Sequence, residues 1–350
     1  IWDGNKSNYF RIYYIVSSLL IFFSVFTFFI NEKIKEYLII FGITSFIFIY
    51  SYEGYLTLKN ENNQLSKVKL LKAQLYEKQT GNKWDKRTTF QIYEDLKKKD
   101  NKIVVRIAPK NYIYENNTIF PLSGISNAET IYCNENGFYT IYKSDRFGFN
   151  NPNEEWNSKE IEYLLVGDSF THGGCVNRPN DIASVLRILS NKSALNLGYG
   201  GNGPLIEYAT LREYLDPRVK KVLWMYYEGN DLKNFTNEKS NRLLNNYLIS
   251  SDFSQNLKLK QNEIDYLAKG ILKRERKKQI TSLKFDYIKF IKISNIRSFI
   301  FPVPAVEPTS ITEFKKILQL ANDFTIKNNS KLYFVYLPEY TRYKETYNNS

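Results

Sequence analysis

The chain has 350 residues, room for one full α/β domain plus accessory segments, and an apolar fraction of 43% that supports a proper core. Its net charge of +13 comes from lysines spread along the whole length, with no helix-turn-helix, zinc-finger or RNA-recognition signature, so no nucleic-acid partner is expected. Two cysteines and one histidine exclude the usual Cys/His structural zinc site, and neither a metal nor a cofactor is expected.

The chain opens on Ile1 rather than methionine, so its true start is expected further upstream. Ile12–Ile30 is nineteen residues without a charge, long enough to cross a hydrocarbon core of ~30 Å as a helix. A short polar turn, Asn31–Glu36, separates it from a second apolar run, Tyr37–Tyr52, with tyrosines at both ends as an interfacial belt would place them. The expected reading of residues 1–56 is a two-helix transmembrane hairpin in a lipid bilayer, with spans at about 12–30 and 37–54. A signal peptide fits less well, since the first run is long for a signal core and no small-residue cleavage site follows it. Lys59, Lys67, Lys69 and Lys72 after the second span favour a cytoplasmic domain, an answer that an unseen upstream span would invert.

Residues 57–158 read as a connector and an irregular α/β lead-in. Leu65, Val68, Leu71 and Leu75 recur at helical spacing within Asn60–Lys78, an amphipathic helix whose stripe is expected to be packing surface. Thr88–Leu96 suggests another short helix and Ile103–Ile107 a strand. Tyr112–Asn151 has little periodicity and suggests irregular strands and turns that pack beside a following sheet.

From Ile161 strands and helices alternate. Strands are expected to Val166, at Ala194–Leu197, Val222–Tyr227 and Leu332–Leu337, with helices at Asp181–Leu189, Leu205–Leu215 and Ile311–Lys327. Repeated β-then-α units argue for a parallel sheet with helices on both faces over residues 159–350. Residues 235–300 read as a helical, lysine-rich insertion. Its most basic part, Lys269–Gln279, is expected to be a solvated helix face, with anionic phospholipid headgroups as the alternative contact. Pro302, Pro304 and Pro308 mark a connector.

The chemistry gathers at strand ends. Leu164-Leu165-Val166 runs into Gly167-Asp168-Ser169, which sets a serine hydroxyl where a strand ends and a helix begins. The unpaired N–H groups of a helix start can hold an anion, so Ser169 can be a nucleophile whose own N–H stabilises the oxyanion it creates. The same serine also reads as a plain helix N-cap. Two later strand ends carry Asn196-Leu197-Gly198-Tyr199-Gly200-Gly201-Asn202-Gly203 and Tyr227-Glu228-Gly229-Asn230-Asp231.

With these three motifs in this order, Ile161–Leu337 resembles the SGNH hydrolase superfamily of GDSL esterases and lipases. The resemblance implies a flavodoxin-like three-layer α/β fold and a serine esterase acting on carboxylic esters through an acyl-serine. It implies Ser169 as nucleophile and oxyanion N–H donor, Gly201 as a second N–H donor and Asn230 as a side-chain donor. Asp168 more plausibly orders the turn. The substrate implied is an ester or an acylated glycan, and the resemblance favours an extracytoplasmic domain. The family takes its base from a late Asp-x-x-His stretch that is missing here, so it is expected after Ser350, and these 350 residues are expected to hydrolyse slowly or not at all. His172, the only histidine, lies three residues after Ser169, side by side with it along a helix rather than placed as its base. Glu228 stands where the family has a glycine, which could reshape the pocket beside Asn230.

Cys133 and Cys175 could meet if the lead-in folds over the nucleophile loop, and a bridge would imply an oxidising compartment. Separate reduced thiols are the favoured expectation. Three rival functions remain. Gly198–Gly203 also matches Gly-x-Gly-x-x-Gly between a strand and a helix, the pattern of an NAD-type dinucleotide site. The same acyl-serine could serve an O-acyltransferase modifying an envelope polysaccharide. The domain could also be a non-catalytic glycan-binding module.

Overall fold

The computed structural model describes residues 5–63, 65–281, 290–300 and 308–343. These residues form two compact units, one built from residues up to 67 together with 290–300, the other from 68–281 together with 308–343.

In the first unit, α1 (Asn5–Phe26) runs into a 3-10 turn at Thr27–Phe29, and α2 covers Glu32–Asn63. Asn31 starts α2 by accepting the Lys33 N–H on its side chain at 3.0 Å. Glu32–Lys59 is long and apolar enough to cross a membrane and leaves its apolar window unburied; the same length and composition also suit a signal sequence. The expected first span is covered by α1 and the turn after it, of which Ser17–Phe29 is the apolar stretch among the described side chains, shorter than a span by itself. One candidate span near the N-terminus is therefore seen, rather than a clear two-helix hairpin. Near the far end of α2, the buried Glu53 carboxylate accepts the N–H groups of Asn295 and Ile296 at 2.9 and 3.0 Å, capping a short helix at Ser294–Ile300.

The second unit begins with α3 (Leu65–Thr80) and α4 (Thr89–Lys97). The α3 stripe expected to pack is largely exposed at Leu71 and Leu75; the helix instead buries Ala73 and sets Tyr76 edge-on to Trp84. Thr88 and Gln91 form a reciprocal capping box that starts α4, as a Thr-x-x-Gln spacing allows. A small sheet follows, with β1 (Ile103–Val105) parallel to β2 (Glu129–Ile131) and β2 antiparallel to β3 (Ile141–Lys143).

The main elements are β4 (Ile161–Gly167), α5 (Ser169–His172), α6 (Ile182–Ser190), β5 (Ala194–Asn196), α7 (Pro204–Tyr214) and β6 (Val219–Tyr227). After them come α8 (Asp231–Glu238), α9 (Arg242–Ile249), α10 (Gln261–Thr281), α11 (Pro308–Lys327) and β7 (Lys331–Leu337). The four strands form a parallel sheet in the order β5-β4-β6-β7. The expected α/β class, a parallel sheet flanked by helices, is therefore present. Side chains alternate across it. Leu164, Val166, Leu195 and Trp224 join the large core, while Leu165 and Ala194 pack with Ala183 of α6 on the opposite face.

Phe235, Leu244, Tyr247, Ile264 and Ile271, all within the stretch read as an insertion, are buried in the main core. Two arginines of the basic Lys269–Gln279 run are exposed yet paired with acids of the lead-in, Arg274 with Glu115 at 2.8 Å and Arg276 with Glu94 at 2.5 Å. The lead-in does pack beside the sheet. Asn151 lays its side-chain amide along β5 as a strand would, donating to the Asn196 carbonyl at 2.9 Å and accepting the Asn196 N–H at 2.8 Å.

Candidate active site

β4 lies between β5 and β6, so the loops after these three strands emerge side by side at one sheet edge. Ser169 begins α5 there and is partly buried. Its hydroxyl donates to Asp168 Oδ2 at 3.2 Å, while Asp168 Oδ1 accepts the Phe170 N–H at 2.9 Å. Asp168 is fully buried, and burial pushes its carboxyl up despite hydrogen bonds from Phe170 and Ser169 and the nearby Asn230 side chain. The Asn230 side chain is close enough to Asp168 to act on its carboxyl, which brings the loop after β6 to the nucleophile turn. Phe170 and Tyr227 join them again, with ring centroids 4.6 Å apart.

The loop after β5 is sewn onto the same turn. The Tyr199 N–H donates to the Gly167 carbonyl at 3.1 Å, and the Gly200 N–H donates to His172 Nδ1 at 3.1 Å. A Cβ at Gly198 would lie 2.5 Å from that of Thr171, so only glycine allows this approach. Gly201 adopts φ +91°, a left-handed conformation that also favours glycine, and lies directly under the Lys110 side chain.

His172 is fully buried between Tyr132 and Tyr199, with ring centroids 4.5 and 4.4 Å away. Because Nδ1 accepts from Gly200, Nε2 carries the proton and donates to Tyr142 Oη at 3.0 Å. Burial, then the nearby charge of Arg106, hold its pKa well below the usual histidine range. It is a neutral structural ring that ties α5 to the Gly200 loop, and it has no free nitrogen to serve as a base.

Cys133 and Cys175 are joined in a disulfide with Cα atoms 5.1 Å apart, correcting the expectation of separate thiols. The sequence could not supply the approach of the two chain segments that the bond needs. The bond brings in Tyr132, which the sequence reading missed. The Tyr132 hydroxyl touches the space where a Gly200 Cβ would be and stands 3.4 Å from that of Gly174. Burial raises its pKa to about 12, so it is a neutral hydrogen-bond donor. Arg106 stacks over the Tyr132 ring at 4.5 Å and donates to the Gly200 carbonyl at 3.1 Å.

The start of α7, where a dinucleotide pyrophosphate would bind, is already occupied. The buried Glu238 carboxylate accepts N–H groups from Gly203, Leu205 at 3.0 Å and Ile206 at 3.2 Å. Glu228 turns away from the pocket, pairing with Arg342 and accepting the Glu339 N–H at 3.0 Å. That ion pair, more than any other contact, holds its carboxyl at about 2.

Asp168, Glu207, Asp231 and Glu238 form a group of buried acids beneath the loops. Burial raises all four, with mutual repulsion adding to the rise of Glu207 and Asp231. Glu238 is pushed from 4.5 to about 7. A folded carboxyl that keeps its proton longer than the unfolded one stabilises most fully below pH 4.5 and loses that advantage as pH rises through about 7. Thermal stability should therefore fall between pH 5 and pH 7, by roughly 2–4 °C for each kcal/mol lost. Glu238→Gln keeps one of the two acceptor oxygens and removes the titration, so it should flatten part of this decline in a calorimetric pH series; an unchanged slope would remove Glu238 as its source.

Among the described residues no group of His, Cys, Asp and Glu side chains is arranged to hold a metal ion. No family model, curated protein or solved structure matches the chain.

Proposed function

We propose that this chain is a membrane-anchored serine esterase of SGNH type, with a three-layer α/β domain that cleaves carboxylic esters through an acyl-serine. The observation that carries the reading is the junction of three neighbouring strand ends, with the Phe170 and Tyr227 rings in contact beside Ser169, the Tyr199 N–H bonded to the Gly167 carbonyl, and Gly201 on that adjoining loop. In this reading Ser169 Oγ attacks the ester carbonyl and the alcohol leaves. The oxyanion is held by the N–H groups of Ser169 and Gly201 and by the Asn230 amide. Asp168 orders the turn and accepts the Ser169 hydroxyl at rest. With His172 enclosed, this sequence offers Ser169 no free imidazole, so slow acylation is the activity expected of the 350 residues.

The Cys133–Cys175 bond favours an oxidising compartment, and with it an extracytoplasmic domain held by a two-span anchor. The filled α7 terminus speaks against a nicotinamide enzyme, because the amides a pyrophosphate needs already bind Glu238. The test is to incubate the full chain in detergent with p-nitrophenyl acetate and map the acetyl group by peptide mass spectrometry. Acetyl on Ser169, absent from Ser169→Ala, is the expected result; acetylation only at surface lysines would reject Ser169 as nucleophile.

A further inference from the structure

Lys110 lies on a 3-10 turn of the lead-in, Pro109–Tyr112, and reaches across to the Gly201 loop. Its Cδ and Nζ stand 2.6 and 2.9 Å from the position of a Gly201 Cβ, so the stem covers the glycine and the ammonium sits at its edge. Partial burial, then the like charge of Arg106, lowers the pKa of Lys110, although the residue as a whole stays exposed. No carboxylate among the described residues forms an ion pair with either side chain, whereas two other cations do have acidic partners. Arg274 has Glu115 and Lys239 has Glu313. Arg106 also buries its Nε without a hydrogen-bond partner. Two like charges held together without a counter-ion are costly, and a bound anion relieves that cost.

A cleft of about 280 Å³ opens at this point, lined by Lys110, Asn111, Gly201, Asn234 and Asn237. Its chemistry is donor-rich. Asn111 Oδ1 is occupied by the Ala108 N–H at 3.0 Å, which leaves its NH₂ as the group still able to bond, and Asn237 is exposed beside it. Tyr114 adds an exposed aromatic ring of the kind a sugar can lie against.

We propose that the cleft beside Gly201 binds an anionic group of the substrate, a carboxylate or a phosphate, with Lys110 as its counter-ion and Arg106 as the second positive charge. The inference rests on the esterase reading and narrows it to esters of acidic molecules, such as acylated uronic acids or sugar phosphates. The acid group lies next to the candidate oxyanion glycine, so the charge sits near the scissile carbonyl and orients the ester.

Binding can be measured without turnover. The full chain in detergent is titrated at low salt with glucuronate, with inorganic phosphate and with neutral glucose, and followed by calorimetry. Saturable binding of glucuronate or phosphate but not glucose is expected. Glucuronate alone would mark a sugar-acid site, and phosphate alone a phosphate-ester site. Lys110→Gln should weaken the anion about tenfold, while Lys159→Gln, a distant exposed lysine, and Ser169→Ala should leave it unchanged. Lys110→Arg should keep the binding. Equal affinity of wild type and Lys110→Gln, or failure of either anion to outbind glucose, would overturn the proposal. If Ser169 fails to acquire acetyl yet these binding differences hold, the anion site stands and only the esterase reading falls.

Discussion

Asn230→Ala is expected to slow acetyl transfer to Ser169 by about 10²–10³-fold, the cost of removing one preorganised oxyanion donor. The residue stands at the N-cap of α8 with no side-chain capping bond, so the helix does not depend on its amide. Its side chain instead lies beside Asp168, and its NH₂ group has N–H groups to offer. Its oxygen is buried without a hydrogen-bond partner, an orientation that serves donation rather than acceptance. The loss should therefore appear in the acylation rate, with little change in substrate affinity, because the oxyanion exists only along the reaction path. Pre-steady-state release of p-nitrophenolate measures it. A rate within threefold of wild type would remove Asn230 from the oxyanion site while leaving Ser169 in place.

The second large effect expected is on stability. Cys133 and Cys175 are 42 residues apart, and cross-linking a loop of that length restricts the unfolded chain enough to stabilise the fold by about 4 kcal/mol. The Cys133→Ser/Cys175→Ser double variant should unfold roughly 10 °C lower. It should also loosen the site, because Tyr132 precedes one cysteine and Gly174 the other, and the Tyr132 hydroxyl rests between the Gly174 and Gly200 backbones. A thiol titration of the folded chain should find no free thiol before reduction and two after it. Two free thiols at the outset would contradict the bond.

The strand ends were legible because each is a local pattern. An apolar run such as Leu164–Val166 stops at glycine, and the following helix opens on Asp, Ser or Pro. β6 was read three residues short, since Lys220 and Lys221 interrupt its apolar run. Those lysines have acidic partners, Lys221 with Glu162 of β4 at 2.6 Å and Lys220 with Glu160 just before it at 3.5 Å. The environment of His172 was beyond reach for a different reason. Tyr132, Tyr142 and Tyr199 converge on it from separate parts of the chain, and no spacing rule joins them. Lys110 looked like one lysine among many, and what distinguishes it is its place over Gly201 beside the cation Arg106. Glu238 caps α7 from 35 residues away, by a contact that no short motif encodes.

The backbone passes between the two units three times, since residues 290–300 return to the company of α2 before α11 rejoins the sheet. Trimming the chain at its front therefore cannot release the sheet-bearing half intact. A fragment beginning at residue 68 would carry Asn295 and Ile296 along with their Glu53 acceptor deleted, and the stranded helix would unravel or seek another surface. Anyone wishing to handle the sheet-bearing unit by itself should excise both pieces and splice a short linker in place of the second.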